Sequence, residues 1–383
     1  MVFYYKQGKV PEFRHTFDSK DNILKEELFG EESFDGLYSL LYHYGEPTRV
    51  KDINREEKKE FDPSDDNTTK HRHLVTSNLE RKGNFINGRQ YLFWNSRIRI
   101  GISKPAEKMS AYLRNALAEE LLFFHRGKGK LSTVFGWISL SEGDYVYIPK
   151  GTTFFLDTSE DAEILFMESF DRIDLPSRYL NRYGQLREGT PYYTRDFRLP
   201  MLYENTPANR YKKVYVDYDT YYMVEDRDTP IFDVAGWDGY LYPYAINIDR
   251  MAPIVGKLHQ PPPVHENFSG KSFMVGTFLP RPFDFHPRSI PISYYHNNID
   301  TDEFLFYSSG NFMSRKGIES GSITLHVRGI IHGPQPGAVE ASIGAKSTDE
   351  KAVMIEAYEP LQLTKTALKI EDMDYMKSWS KEG

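Results

Sequence analysis

Short apolar runs, broken by turn-forming residues about every ten positions, follow one another along most of the chain. Three stretches carry strand-forming residues between Gly, Pro, Asp or Ser, and we predict strands at 91–105, 136–156 and 272–285. Periodicity typical of helices is rare. Segment 106–122 has the best helix propensity and is predicted as a helix, although its end also fits a strand. The pattern indicates a mostly β protein.

Length and composition narrow the class of protein. The 383 residues are too many for one small core and indicate two domains or one large β architecture. With 39% hydrophobic and 15% aromatic residues, the chain can bury a sizeable core, so global disorder is excluded. It contains no cysteine, so any metal must be held by histidines and carboxylates.

Charge and hydropathy set expectations about partners and location. A formal charge of −7 gives no basic surface for nucleic acid. No segment approaches the roughly 18 consecutive apolar residues that a membrane helix needs, and the N-terminus lacks the layout of a secretory signal. We therefore expect a cytoplasmic protein that binds neither nucleic acid nor membranes.

A dense run of charged residues occupies 51–73, and we interpret it as a solvated loop. The segment His71-Arg72-His73 lies at its end. Two histidines one residue apart could ligate a metal from a strand, but no carboxylate follows at a useful spacing. We therefore expect these three side chains at the surface.

Histidines are concentrated near the C-terminal end, where the spacing of polar residues is informative. Six residues separate His296 from Glu303 and Glu303 from Gly310, and Gly321 precedes His332 by eleven positions. Side chains that leave neighbouring strands of a small barrel converge on its interior, and glycines close the turns between such strands. Two imidazoles and one carboxylate form a facial triad with open positions, which suits non-haem Fe(II) and O₂.

The same spacing occurs upstream. Glu120 precedes Gly127 by the same six-residue interval, and Gly143 precedes Phe154 by the same eleven positions. Phe154 therefore stands where the C-terminal copy has His332, and no histidine lies four to six residues before Glu120. We predict a duplicated unit whose first copy keeps the fold without a metal.

Both copies resemble the two sequence signatures of the cupin superfamily. The resemblance implies double-stranded β-helix (jelly-roll) barrels, a mostly β duplicated cupin architecture. We expect an N-terminal domain over 1–250, with a degenerate, metal-free cupin half at about 90–165, and a catalytic cupin domain over 251–383. Asn298 replaces the second histidine of the signature and Val327 its proline. The first change leaves three protein ligands, in agreement with the triad.

Longer segments resemble the homogentisate 1,2-dioxygenase family, and its short bacterial branch most. They are KLHQPPPVHE (257–266), FMVGTFLPRP (273–282), YYHNN (294–298), GSITLHVRGIIHGP (321–334) and VMIEAYEPLQLTKTALK (353–369), together with 8–17 and 28–50. The resemblance implies an Fe(II)-dependent enzyme that converts homogentisate and O₂ to maleylacetoacetate in the breakdown of tyrosine and phenylalanine.

The resemblance also implies the metal ligands. His296, Glu303 and His332 match the residues that hold Fe(II) in the family. Asp302 is a rival for the carboxylate, because the loop before it is one residue longer than in long-chain members. We prefer Glu303, since it keeps the six-residue interval to Gly310.

Further residues match substrate-binding positions of the family. His259 corresponds to a general base toward a substrate hydroxyl, a task that suits an imidazole with a pKa of about 6.5. Arg315 aligns with a lysine that binds the substrate carboxylate, and a guanidinium would make that contact bidentately. His326 and Tyr295 are additional candidates, whereas the family's substrate-binding tyrosine is Phe312 here. Alternatively, His259 only packs against the following prolines, and Arg315 lies in an exposed turn.

Two other functions fit the same residues. A dioxygenase for gentisate, a related dihydroxybenzoate, has the same triad. A non-catalytic or isomerase-type bicupin would use Zn²⁺ or Mn²⁺ in a structural role. The family resemblance further implies a homo-oligomer, either a trimer or a dimer of trimers.

Overall fold

The computed structural model describes residues 3–12, 17–18, 20–58, 62–66, 68–261, 265–312 and 317–380. These residues form 26 strands, two short α-helices and several short 3₁₀ helices. No helix in the described ranges has the length and apolar character that a membrane span requires. The prediction of a mostly β protein is confirmed.

The strands are numbered along the chain. They are β1 (Tyr5–Gly8), β2 (Lys25–Gly30), β3 (Tyr38–His43), β4 (Asp52–Glu57), β5 (Arg72–Val75), β6 (Arg89–Trp94), β7 (Ile98–Ser103), β8 (Tyr112–Asn115), β9 (Glu119–Arg126), β10 (Gly129–Thr133), β11 (Gly136–Leu140), β12 (Asp144–Ile148), β13 (Phe154–Thr158), β14 (Glu163–Ser169), β15 (Lys213–Asp217), β16 (Tyr221–Asp226), β17 (Val234–Gly239), β18 (Tyr244–Asn247), β19 (Glu266–Ser269), β20 (Phe273–Phe278), β21 (Arg281–Pro282), β22 (Asp302–Ser309), β23 (Ser322–His326), β24 (Ser347–Thr348), β25 (Lys351–Ala357) and β26 (Gln362–Leu363). The helices are α1 (Ala338–Ser342) and α2 (Lys365–Leu368).

Four larger sheets and a small one contain these strands. The N-terminal half has two seven-stranded sheets, ordered β11-β10-β13-β8-β15-β16-β4 and β18-β12-β9-β14-β7-β6-β26, which we call the outer and the inner sheet, and a four-stranded sheet β1-β17-β3-β2. The C-terminal sheet is ordered β19-β20-β25-β22-β23-β5, and β21 pairs with β24. Each half thus contributes a strand to the other, since β5 joins the C-terminal sheet and β26 joins the inner sheet.

The inner sheet is buried on both faces, which explains the apolar runs of the sequence. On β9, Leu122 and Phe124 point into the core between the inner and outer sheets, whereas Leu121 and Phe123 point to the opposite side. That opposite side packs against the C-terminal sheet, where Phe304 joins the same core. The C-terminal sheet in turn has one face in the core and one face toward a cavity.

The helix predicted at 106–122 is wrong. The segment forms β8 and the first part of β9, separated by a turn at Ala116–Ala118. Its apolar side chains are buried between two layers of sheet, and this burial outweighs the local helix propensity of Ala, Leu and Glu. The strands predicted at 91–105, 136–156 and 272–285 are present as β6–β7, β11–β13 and β20–β21.

Matching glycines of the two copies adopt the same backbone conformation. Gly127 and Gly143 have φ values of 80° and 83°, and Gly310 and Gly321 have values of 98° and 87°. This left-handed region is open to glycine at little cost. Glu120 is also the second residue of β9, as Glu303 is of β22. The predicted internal duplication is therefore visible in both turns and strands.

Candidate metal centre

Strand β22 places Glu303 and Asp302 on opposite faces of the C-terminal sheet. Glu303, Leu305 and Tyr307 alternate toward the cavity. Asp302 points the other way, where its carboxylate accepts hydrogen bonds from the Arg328 backbone N–H and Nε (3.0 and 2.9 Å) and from the Leu361 backbone N–H (2.8 Å). The geometry therefore favours Glu303 over Asp302 as the ligand carboxylate.

His296 and His332 lie side by side on two chain segments that the backbone holds together. Each backbone N–H donates to the carbonyl of the other residue at 2.9 Å. Each ring also directs Nδ1 to a carbonyl two residues earlier, His296 to Tyr294 (3.3 Å) and His332 to Ile330 (3.1 Å). With Nδ1 donating to a carbonyl, Nε2 carries the lone pair and is the ligand atom.

The two Nε2 atoms converge on the Glu303 carboxylate. His296 Nε2 lies 3.6 Å from Oε2, and His332 Nε2 lies 3.7 Å from Oε1. One ligand atom from each of the three residues lies within 4.8 Å of the other two, and among the described residues this is the one group of His, Asp and Glu with that property. Two neutral imidazoles and a carboxylate fit a divalent transition metal with open coordination positions.

Electrostatics agree with a cation site. Burial works to raise the pKa of Glu303, but hydrogen bonds from His296 and His326 and the nearby histidine charges hold it well below the ordinary value. The hydrogen bond to Glu303 raises the pKa of His296, against the effect of burial. The carboxylate is therefore ionised at neutral pH and available as a ligand.

A cavity of about 460 Å³ lies beside these residues. Its wall combines apolar side chains, among them Leu305 and Phe312, with several polar groups. The polar group that the sequence analysis missed is Glu356 on β25, directly opposite Glu303 in register. It accepts hydrogen bonds from Asn298 Nδ2 (3.2 Å) and Thr301 Oγ1 (2.6 Å). Burial and the charge of Glu303 raise the pKa of Glu356 to about 7.

A signal for Glu356 exists in the sequence. Glu356 is the single charged residue within the apolar run 353–357. Because such a run forms a buried strand, the carboxylate is buried with it. Asn298, which replaces a histidine ligand of the cupin signature, donates a hydrogen bond to the Glu356 carboxylate.

The predicted general base His259 lines the cavity wall. Its ring packs edge-on against Tyr294 at 5.1 Å, and its Nδ1 lies 3.6 Å from Asp284 Oδ2. The side chain is partly exposed to solvent. Position and chemistry are compatible with proton exchange between the cavity and water, and the assigned role stays a prediction.

The other predicted substrate contacts fall in different places. His326 is fully buried, with Nδ1 hydrogen-bonded to Glu303 Oε1 (2.6 Å) and Nε2 to the Tyr375 hydroxyl (3.0 Å). It therefore lies behind the carboxylate and does not line the cavity, which favours a supporting role over substrate contact. Tyr295 is 58% exposed and is not part of the described cavity wall, which has Tyr294 instead. Arg315 lies outside the described residues.

The expectation that His71, Arg72 and His73 lie at the surface is wrong, because all three are buried. Arg72 and His73 are the first two residues of β5, which His71 immediately precedes, and β5 pairs with β23 of the C-terminal sheet. Arg72 binds the carboxylates of Asp66 and Glu371, both at 2.8 Å. The pairing of β5 with β23 joins segments about 250 residues apart, and no local sequence pattern signals such a contact.

Sequence comparisons match both halves of the chain to one family. Residues 48–248 match a model described as "Homogentisate 1,2-dioxygenase N-terminal", and residues 247–382 match "Homogentisate 1,2-dioxygenase C-terminal". A "Putative dioxygenase" of Saccharolobus solfataricus is 45% identical over 99% of both chains. The predicted division of the chain at residue 250 stays a prediction.

More distant relatives carry the full enzyme name. Homogentisate 1,2-dioxygenases of Sinorhizobium medicae and Mus musculus are each 26% identical, over 72% and 69% of this chain. The matched segment covers 64% and 63% of these two enzymes, so less than two thirds of their length is represented. A solved structure, a "Cupin 2 conserved barrel domain protein" from Leptotrichia buccalis, aligns with a TM-score of 0.35 at 7% identity, over 75% of this chain and 96% of that one. The strand order and the two matched domains fit the duplicated cupin architecture.

Proposed function

Because the chain belongs to the homogentisate 1,2-dioxygenase family, we propose that it is an Fe(II)-dependent dioxygenase that cleaves the ring of homogentisate with O₂. The product would be maleylacetoacetate. The observation that carries the proposal is the convergence of His296 Nε2, His332 Nε2 and the Glu303 carboxylate beside the cavity. No cysteine competes for the ion, and each imidazole has its tautomer fixed by a carbonyl.

Held by His296, Glu303 and His332, Fe(II) would supply the redox chemistry for the reaction of the ring with O₂. The chain's own side chains then have three tasks: to orient the ring, to exclude water and to remove a hydroxyl proton. His259 is the residue proposed for the last task, because a histidine on the cavity wall can accept a proton from a substrate hydroxyl. Its contact with Tyr294 and its exposure place it between the cavity and solvent.

The cavity suits a single aromatic ring. A volume of about 460 Å³ lies within the range of about 300–1,000 Å³ of small-molecule sites. Met274, Leu305 and Phe312 form one apolar cluster of its wall. These side chains can hold a ring next to the triad, which is the positioning that an enzyme of this kind has to provide.

The acetate arm of homogentisate needs a cationic partner. Arg315 is the residue proposed from the family resemblance. Within the described part of the cavity wall, the guanidinium is that of Arg281, which donates to the Leu279 carbonyl (3.0 Å) and to Glu350 (3.3 Å). Arg281 therefore competes with Arg315 as the group that binds the substrate carboxylate.

Oxygen consumption by the Fe(II)-loaded protein tests the function. We expect uptake with homogentisate and formation of maleylacetoacetate, and much slower uptake with gentisate. Uptake with gentisate alone would assign the related dihydroxybenzoate reaction. No uptake with either substrate, despite a stoichiometric bound metal, would assign a non-oxygenase bicupin.

Variants connect the activity to the site. His296→Ala and His332→Ala should lose both bound iron and turnover, because a site with three protein ligands has no spare donor. His43→Gln removes a buried histidine of the four-stranded sheet and should keep iron and turnover. Assembly into a trimer or a dimer of trimers is a further proposal, which light scattering of the purified protein measures.

A further inference from the structure

The Glu303 carboxylate is held by a histidine that lies behind it. His326 stands directly opposite Glu303 in the pairing of β22 with β23. Its Nδ1 lies 2.6 Å from Glu303 Oε1, and the ring is fully buried. An ionised carboxylate only accepts hydrogen bonds, so Nδ1 of His326 is the donor.

The other nitrogen of His326 has its partner in the C-terminal segment. Nε2 lies 3.0 Å from the Tyr375 hydroxyl, which is itself buried. When Nδ1 of a neutral imidazole carries the proton, Nε2 is an acceptor, and the phenol O–H is the donor that satisfies it. The chain Tyr375–His326–Glu303 thus has a defined direction, from the hydroxyl to the carboxylate.

The segment that carries Tyr375 is anchored on both sides of the candidate metal centre. Asp372 N–H donates to the His73 carbonyl (2.8 Å), which ties the segment to β5. Gln335, three residues after His332, donates from Nε2 to Ser378 Oγ (2.7 Å). The Trp379 ring lies 5.7 Å from the ring of His71, and that ring contacts His332 edge-on at 5.2 Å.

We propose that Tyr375 is a positioning residue for the metal centre, acting through His326 on the Glu303 carboxylate. The hydroxyl fixes the tautomer and orientation of His326, and His326 occupies Oε1 of Glu303. Oε1 accepts the short hydrogen bond from His326 and lies 3.7 Å from His332 Nε2, whereas Oε2 lies 3.6 Å from His296 Nε2. The hydrogen bond to Oε1 therefore favours Oε2 as the oxygen that a metal ion would bind. A carboxylate that binds through one oxygen leaves coordination positions open for substrate and O₂. The proposal rests on the metal centre of the proposed function, but not on the identity of the substrate.

Tyr375→Phe tests this step, because it removes the hydroxyl alone and keeps the ring contacts with His73 (5.5 Å) and Trp379 (5.0 Å). The matched control is Tyr145→Phe, which removes another buried hydroxyl, 2.8 Å from Thr277 Oγ1 on β20 and away from the described cavity wall. The readouts are the dissociation constant of Fe(II), measured against a competing chelator, and the electron paramagnetic resonance spectrum of the Fe(II)–nitric oxide adduct.

We expect Tyr375→Phe to bind Fe(II) about tenfold more weakly than wild type, because the partner of Glu303 loses its support. We also expect a change in the rhombicity of the spectrum, because the Glu303 carboxylate would shift. Tyr145→Phe should match wild type in both. Since Tyr375 acts only through His326, His326→Gln and the double variant should bind Fe(II) equally weakly. Equal Fe(II) affinity and spectra in the two Phe variants, or additive losses in the double variant, would overturn the proposal.

The same measurements separate this proposal from the proposed function. A wild-type chain that binds no Fe(II) would overturn the metal centre and this inference together. A wild-type chain that binds Fe(II) but leaves homogentisate intact would overturn only the substrate assignment, and the comparison of the two Phe variants would still decide the role of Tyr375.

Discussion

A buried histidine outside the described cavity wall should make stability depend on pH between 6.5 and 9. His43 on β3 lies between two carboxylates, with Nδ1 2.7 Å from Asp233 Oδ1 and Nε2 2.8 Å from Glu27 Oε2. Burial works to lower the pKa of His43, but the hydrogen bonds and charges of Asp233 and Glu27 outweigh it and raise the pKa to about 9. In the folded protein at neutral pH, the ring is therefore an imidazolium that donates to both acids.

The sign and size of the effect follow from the two pKa values. A histidine whose pKa is raised on folding stabilises the native state fully below its unfolded pKa, and this contribution is lost as pH rises through the folded pKa. The interval from 6.5 to about 9 corresponds to about 3 kcal/mol, at about 1.4 kcal/mol per pH unit. Because the Glu27 side chain is 37% exposed, solvent weakens its share, and we expect about 2 kcal/mol.

Urea unfolding of wild type and His43→Gln at pH 6.5 and at pH 9 measures this contribution. Other groups titrate in the same interval, among them Glu119 with a pKa of about 8, so only the difference between the two proteins is informative. The wild type should lose about 2 kcal/mol more than the variant between the two pH values, with unchanged dependence on urea concentration. Equal losses in the two proteins would show that His43 does not carry the imidazolium charge inferred here.

Three further predictions concern the cavity. Glu303→Gln should lose Fe(II), whereas Asp302→Asn should keep Fe(II) and lower the melting temperature, because Asp302 accepts hydrogen bonds from Arg328 and from the Leu361 backbone N–H. Metal analysis and thermal melting of both variants measure these effects, and loss of iron from Asp302→Asn alone would make Asp302 the ligand. His259→Gln should keep iron and lower kcat by about 10² to 10⁴, so near-normal turnover would reduce its role to packing. Either Arg315 or Arg281 should bind the substrate carboxylate, and replacing that residue by Met should lower kcat/KM for homogentisate by one to two orders of magnitude but change kcat/KM for uncharged ring analogues little. Equal losses with both kinds of substrate would indicate that the arginine has a structural role.

The fold could be predicted from the sequence where its pattern reports on local burial. The apolar runs between turn residues at 91–105, 136–156 and 272–285 form strands, and Gly127 and Gly143 repeat the positive φ of Gly310 and Gly321 in the C-terminal copy. The prediction failed at β8 and β9, where tertiary burial on both faces overrides helix propensity. It also failed at β5, which follows a charged segment in the sequence but pairs with the distant strand β23 and buries Arg72 between two acids.

The candidate site could be predicted as far as its spacing extends. His296, Glu303 and His332 are recognisable from their intervals and meet in the structure. Tyr375 carries no such signature, and Glu356 is marked only as a charge within an apolar run. Both reach the site through long-range contacts, Glu356 through sheet register and Tyr375 through docking of the C-terminal segment. Those relations depend on long-range packing, which one sequence does not encode in a local pattern.

The duplication adds an independent argument that the C-terminal site holds a cation. In the N-terminal copy, Glu120 lies opposite Glu168 in register, just as Glu303 lies opposite Glu356 in the C-terminal copy. The Arg89 guanidinium binds both upstream acids, at 2.8 and 2.6 Å.

Two buried acids on adjacent strands repel each other unless a positive charge lies near them. In the N-terminal copy Arg89 supplies that charge, and Phe154 fills the position that matches His332. In the C-terminal copy no described Arg or Lys forms an ion pair with Glu303 or Glu356. Histidines face Glu303 instead, and a divalent ion beside it would balance the charge that a guanidinium balances upstream. The absence of metal from the N-terminal copy stays a prediction, as does a metal in the C-terminal copy. The two copies nevertheless differ in how the paired acids can be balanced, by a guanidinium upstream and by histidines with a bound cation downstream.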